Sequence, residues 1–187
     1  MSTLAELAAA SQDLAEAIRG LSPDPGDAMR LLAPLAALQP SEATAGDVVG
    51  VAQAAGQAAA AALCRRAALA SLARATAEAS PPSYEAAVAL RDQVCGLLAA
   101  EEVVAADAGE DATALALRDL RAAVAEDLTR RAADLARLRT VTVSEPLPAL
   151  VHAYRLYEDI GRADEVSLQA DAADPNFIGG TFRVLVA

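Results

Sequence analysis

The sequence predicts a mainly α protein, an elongated antiparallel helical bundle followed by a small β-α-α-β module. Three observations lead there. Of 187 residues, 51 are Ala and 25 are Leu, so the 55% apolar fraction consists largely of small or unbranched helix formers. Aromatics are only 3% and Trp is absent, which leaves too little strand-forming material for an all-β fold. Such hydrophobicity also excludes a disordered chain. Helical spacing broken by Gly and Pro runs through the first 138 residues and changes character at Thr140. The expected division is residues 1–138 as an Ala/Leu-rich bundle and 139–187 as a second module of different build.

The first helix opens on a capping box, Thr3 with Glu6 three residues on, and stops at Gly20. Leu4, Leu7, Leu14 and Ile18 share one stripe, with Ser11 in the gap. Asp24 before Pro25 forms an N-cap and first-turn pair for a second helix reaching about Leu38, ahead of Pro40. A long helix is expected from about Thr44 to Ala79. Its Gly46, Gly50 and Gly56 would each cost roughly 1 kcal/mol relative to Ala in an isolated helix, so they imply a closely approaching neighbour. Pro81-Pro82 ends that helix and Ser83 caps the next, which runs to about Ala106 with Leu90, Val94, Leu97 and Val104 on one face. After a turn at Gly109, Asp111 opens a last helix to about Arg139, along which Leu117, Leu120, Val124, Leu128, Leu135 and Leu138 recur at near-heptad steps. Helices of ~25–35 residues would be ~35–50 Å long, hence the expected bundle.

From Thr140 the composition shifts. Val141-Thr142-Val143 is β-branched, and Pro146 and Pro148 frame Leu147 ahead of a helix through Tyr157. A second short helix is expected from Arg162 to Ala170. Then come Pro175-Asn176-Phe177-Ile178, Gly179-Gly180 and a strand from Thr181 to Val186. Tyr154, Tyr157 and both Phe residues fall in this stretch, giving a small unit most of its large apolar area. The two glycines permit positive φ at the entry to the last strand, which would offer an unpaired edge to a neighbour.

Charge narrows the partners. Arg totals 15 against 26 Asp and Glu, with no Lys, for a net −11; residues 139–187 hold four Arg against seven acids. A phosphate backbone is repelled by such a surface, so nucleic acid is not an expected partner. The longest uncharged run, Val48 to Cys64, contains Gln53 and Gln57 and falls short of the ~20 apolar residues of a membrane span. The opening residues lack a basic n-region, so synthesis in the cytoplasm is expected.

No catalytic, cofactor or metal constellation emerges. His152 is the only histidine and reads as helix surface or a satisfied, partly buried ring. Cys64 and Cys95 flank Pro81-Pro82 at similar distances and could face each other across a helical hairpin; as cytosolic thiols they are expected reduced. Glu101-Glu102 and Glu110-Asp111 read as solvated helix ends, without the spacing of a calcium loop. Arg65-Arg66 and Arg130-Arg131 read as partners in intrahelical ion pairs. Gly179-Gly180 is too short for a phosphate loop.

One resemblance goes further. Thr140 to Val186, with its strand, two helices and glycine-preceded closing strand, resembles a LysM-type fold. Leu147-Pro148-Ala149-Leu150-Val151, Ala153-Tyr154-Arg155-Leu156-Tyr157, Asp164-Glu165, Pro175, Phe177, Gly179-Gly180 and Val184-Leu185 are similar to the C-terminal end of the Mu-like phage tail proteins called DNA circularisation proteins. The resemblance implies a virion structural protein of a contractile tail, at baseplate or hub. Its partners would be other tail proteins, in homo- or hetero-oligomers, and its means of action protein–protein assembly, with no membrane and no enzymatic activity. The partner-binding residues it suggests are Tyr154, Tyr157, Phe177, Ile178, Gly179, Gly180, Phe182 and Val184. Two alternatives accompany it: a peptidoglycan-binding LysM-type module, and a helical adaptor or assembly chaperone that leaves before maturation.

Overall fold

The computed structural model describes residues 4–40 and 47–185. They form a mainly helical protein with a small two-stranded antiparallel sheet at the C-terminal end. The helices are α1 (Leu4–Gly20), α2 (Pro25–Ala36), α3 (Val48–Glu78), α4 (Tyr84–Asp107), α5 (Asp111–Ala132), α6 (Ala149–Tyr157) and α7 (Ala163–Gln169), the last preceded by a 3-10 turn, Ile160–Arg162. The strands are β1 (Leu138–Leu147) and β2 (Ile178–Leu185). Two compact units result: Met1–Ser80 with Val88–Arg130, and Pro81–Ala87 with Arg131–Ala187.

In the first unit α3 packs on both α1 and α2. Its second half is buried around nearly its whole circumference, at Ala67, Ala68, Leu69, Ser71, Leu72, Ala73, Ala75 and Thr76, which makes it the central rod. Alanines at half of these positions let neighbouring helices approach closely, while Leu32, Leu69, Leu72, Leu98 and Leu128 fill the remaining volume, each contributing about 1.5–3 kcal/mol. Helix ends follow their caps. Asp24 accepts from Gly26 N ahead of Pro25, Asp47 accepts from Gly50 N, and Ser83 Oγ accepts from Ala86 N at 3.1 Å.

Several expectations change here. The capping Thr3, and Thr44 and Gly46, lie outside the described residues. Helix α1 turns Ser11, Ala15 and Ile18 inward and leaves Leu7 and Leu14 exposed, because facing an alanine-rich partner favours small contacts over leucines. On α4, Leu90, Val94 and Leu97 face the core as expected, joined by the fully buried Leu98 and Ala105, while Val104 is exposed. Gly56 has open space where a Cβ would stand, so no close neighbour explains it. Helix α5 ends at Ala132, not near Arg139: Leu135 lies in a turn and Leu138 opens β1. The cause is tertiary. Glu85 accepts from Leu138 N at 2.9 Å, Tyr84 N donates to Ala136 O, and the Arg137 guanidinium sits 4.0 Å over the Tyr84 ring.

In the second unit β1 and β2 pair from Leu138↔Leu185 to Val143↔Gly180, then shift so that Leu147 faces Ile178. Both strands are longer than the β-branched stretches predict, and Pro146 lies in β1 rather than ahead of a helix. Alternation sets Phe182 and Val184 into a core with Ala149, Ala153, Val166 and Ile178, while Thr142 and Thr181 meet on the exposed face, their hydroxyls 3.1 Å apart. The glycines sit inside β2 at the register shift. Gly180 has φ +76°, and a Cβ on Gly179 would stand 3.3 Å from Pro146 Cα.

Candidate functional site

In the second unit the eight candidate contact residues separate by burial. Ile178, Phe182 and Val184 are 3%, 6% and 0% exposed and form the unit's own core. Tyr157 is half-buried: its hydroxyl donates to Leu185 O at 3.0 Å and Arg162 stacks 3.6 Å over its ring. Burial pushes the Tyr157 phenol up, with Glu165 adding to the effect. Gly179 and Gly180 are exposed but shape the strand rather than supply side chains. Tyr154 and Phe177 remain as large exposed rings, at 62% and 71%.

A backbone bond links the two segments that carry these rings. Pro175 O accepts from Ala149 N at 2.7 Å, which ties the start of α6 to the turn ahead of β2. That turn is closed by Asp174, whose carboxylate accepts from Asn176 N while its carbonyl accepts from Phe177 N. On α6, Leu150 lies one turn before Tyr154 and is 55% exposed. Sequence spacing does not mark Leu150, since a leucine early in an amphipathic helix usually faces the core.

His152 is the satisfied ring. It is 2% exposed, donates through Nε2 to Ile178 O at 2.9 Å, and meets the Phe182 ring edge-on at 5.3 Å between centroids. Its imidazole fastens α6 to β2 and presents no atom to a substrate.

The first unit holds a charged cluster that the sequence pattern misassigns. Glu101 and Glu102 are 3% and 9% exposed, not solvated. Glu101 accepts from Arg65 Nε at 2.6 Å and from Arg66 Nε at 2.8 Å, and Arg66 reaches on to Glu110 at 2.6 Å. Arg65 also donates to Leu38 O at 3.1 Å. These pairs join α3 to α4 and the α5 approach, so the Arg65-Arg66 doublet works between helices and not along one. Arg130 does pair within its helix, with Asp127. Burial alone would lower the Arg66 guanidinium, but hydrogen bonds to Glu110 and Glu101 outweigh it and raise it; the same Arg66 bond holds Glu110 low. Glu102 is lowered by Arg118 and Arg121. The Arg65-Arg66, Glu101-Glu102 and Glu110-Asp111 doublets are the sequence signal for this cluster, but no single-helix spacing connects them.

A cleft of about 560 Å³ adjoins this cluster, walled by Ala58, Ala62, Leu97 and Ala100 and floored by Arg65 and Glu101. Each guanidinium and carboxylate at its floor is already matched within the chain, so the cleft offers apolar surface and no reactive group. The cysteines do not meet. Cys64 lies 3.9 Å from Ser11 Oγ and Cys95 lies 3.8 Å from Arg121 O, both as free thiols. Burial raises the Cys95 thiol, away from nucleophilic character. Among the described residues no cluster of three His, Cys, Asp or Glu is placed to hold a metal ion, and no helix is long and apolar enough to cross a membrane.

No protein-family model matches the chain, and no curated protein matches it in sequence.

Proposed function

We propose that this protein is a structural component of a phage-type contractile tail, at the baseplate or hub, and acts by protein–protein assembly. The observation behind this reading is the similarity of Leu147–Leu185 to the C-terminal end of the Mu-like DNA circularisation proteins. Its motif residues fall on one small unit. In that unit Pro148, Ala149, Gly179, Gly180 and Val184 serve the local fold, whereas Tyr154 and Phe177 are turned out to solvent. Exposed aromatic rings on a rigid frame bury large area on docking at little entropic cost. The strand–helix–helix–strand order and antiparallel pairing support a LysM-like description of the unit.

In this reading the helical unit is a spacer and an assembly surface, and the terminal unit docks on neighbouring tail proteins. The particle is the test. Mass spectrometry of purified tails should find this chain at a fixed ratio to the other tail proteins. Its absence from intact particles refutes the proposal, and retention on purified peptidoglycan through Tyr154 or Phe177 would favour glycan binding instead.

A further inference from the structure

The two-stranded sheet has two outer edges, and they are not equivalent. On β2, α6 takes the carbonyls at both ends: Tyr157 donates to Leu185 O at 3.0 Å and His152 to Ile178 O at 2.9 Å. On β1, only the first residue is engaged, where Leu138 N donates to Glu85. Since that amide leaves the sheet on the side away from β2, ladder alternation turns the N–H and C=O of Thr140 and Thr142 the same way. Arg139, Thr140, Thr142, Ser144 and Glu145 are all exposed. Among the described residues no backbone partner meets β1 on this side between Arg139 and Glu145. The longer run of unengaged, exposed edge backbone is thus on β1, while β2 keeps a shorter one at Thr181 and Arg183 between its two engaged carbonyls.

The edge also carries a palindrome of charge. Around Thr142, Arg139 and Glu145 stand three residues to either side, Thr140 mirrors Ser144, and Val141 mirrors Val143. If a second β1 lies antiparallel with Thr142 opposite Thr142, each Arg139 comes opposite the other copy's Glu145, two residues past the last regular position at Val143. Neither side chain is drawn into an ion pair within the described residues. The register shift after Val143, together with Pro146, which has no N–H to give, ends the matched stretch. For a chain of net charge −11, copies repel each other over most of their surface, so a locally neutral, self-complementary strand is where they can meet.

We infer that two copies of this chain associate through β1, forming a four-stranded sheet ordered β2-β1-β1-β2 about a twofold axis at Thr142. The inference rests on the assembly reading for its purpose, but the pairing stands on the strand's own geometry. A strand pair of this length buries little area, so the free protein should be a weak dimer that many-copied assembly reinforces.

The test uses the full chain in analytical ultracentrifugation at roughly 100 µM, where weak homodimers populate. Glu145→Arg sets two arginines against each other at both ends of the pair, and Arg139→Glu sets two glutamates there. Each should weaken the dimer about tenfold or more, since like charges replace opposite ones at two cross-strand sites. Mixing the two variants relieves the like-charge contacts, with one strand carrying both arginines and the other both glutamates. The mixture should return a heterodimer of wild-type strength, a recovery that misfolding cannot produce. A monomeric wild type, a dimer indifferent to both changes, or a mixture that stays apart overturns the inference. Loss of the dimer with the protein still in particles sinks only the strand pairing; a dimer absent from all particles sinks only the tail assignment.

Discussion

His152 on α6 and Ile178 on β2 are joined by a 2.9 Å hydrogen bond from imidazole Nε2 to a carbonyl, in a site 2% exposed to solvent. The bond fixes the helix that carries Tyr154 to the strand that follows Phe177. Replacing His152 with Ala leaves a buried carbonyl unmatched and removes the edge contact to Phe182. The expected cost is about 1–3 kcal/mol. Hydrogen exchange should show the loss of protection concentrated in β2 and α6.

The Arg65–Glu101 pair predicts non-additive stability. Both side chains are nearly buried, so Glu101→Ala strands the Arg65 charge and should cost about 3–5 kcal/mol. Changing the pair together, Arg65→Met with Glu101→Leu, removes the charge instead of orphaning it and should cost less than the single change. Denaturant unfolding of the three variants measures both terms.

Acid should loosen the first unit. Glu16 is held at about 2, chiefly by the Ser71 hydroxyl and then by Arg19 and Arg74. Glu110 and Glu102 are lowered as well, by Arg66 and by Arg118 respectively. A lowered carboxyl binds fewer protons folded than unfolded, so its stabilisation is complete above the unfolded value of about 4.3. It is then lost as pH falls toward 2. Thermal unfolding followed from pH 6 to 2.5 should show a falling midpoint, and Glu16→Gln should flatten that slope while lowering the neutral-pH value.

Two glycines should respond in opposite directions. Gly180 has φ +76°, so Gly180→Ala costs about 1–2 kcal/mol from left-handed strain alone. Gly56 lies within α3 with open space around it, so Gly56→Ala should stabilise by about 0.5–1 kcal/mol. Paired melting curves decide both.

Much of the fold is readable in the residues because local chemistry determines it. Asp24-Pro25, Pro81-Pro82 with Ser83, and Gly109 mark helix ends that depend on caps a few residues away. What fails is what depends on distant partners. Leu135 and Leu138 continue a helical period, yet Tyr84 and Glu85 draw that segment out toward β1. Alanine is the second source of error. Where many stripe positions are Ala, inward and outward faces differ by little, so Leu7 and Leu14 point out although spacing places them with the core. At the candidate site, aromatic content alone does not separate Phe182, which is core, from Phe177, which is exposed. That separation depends on strand parity after Gly179-Gly180, and on where β2 begins.

The central claim is that the exposed rings of Tyr154 and Phe177 dock this chain into a tail. The direct measurement is incorporation of a Tyr154→Ser, Phe177→Ser variant into particles assembled in place of the wild type, quantified by mass spectrometry. The account predicts a folded variant with unchanged helical content and a drop of roughly tenfold or more in incorporation, as loss of two interface aromatics implies. Incorporation equal to wild type would contradict it.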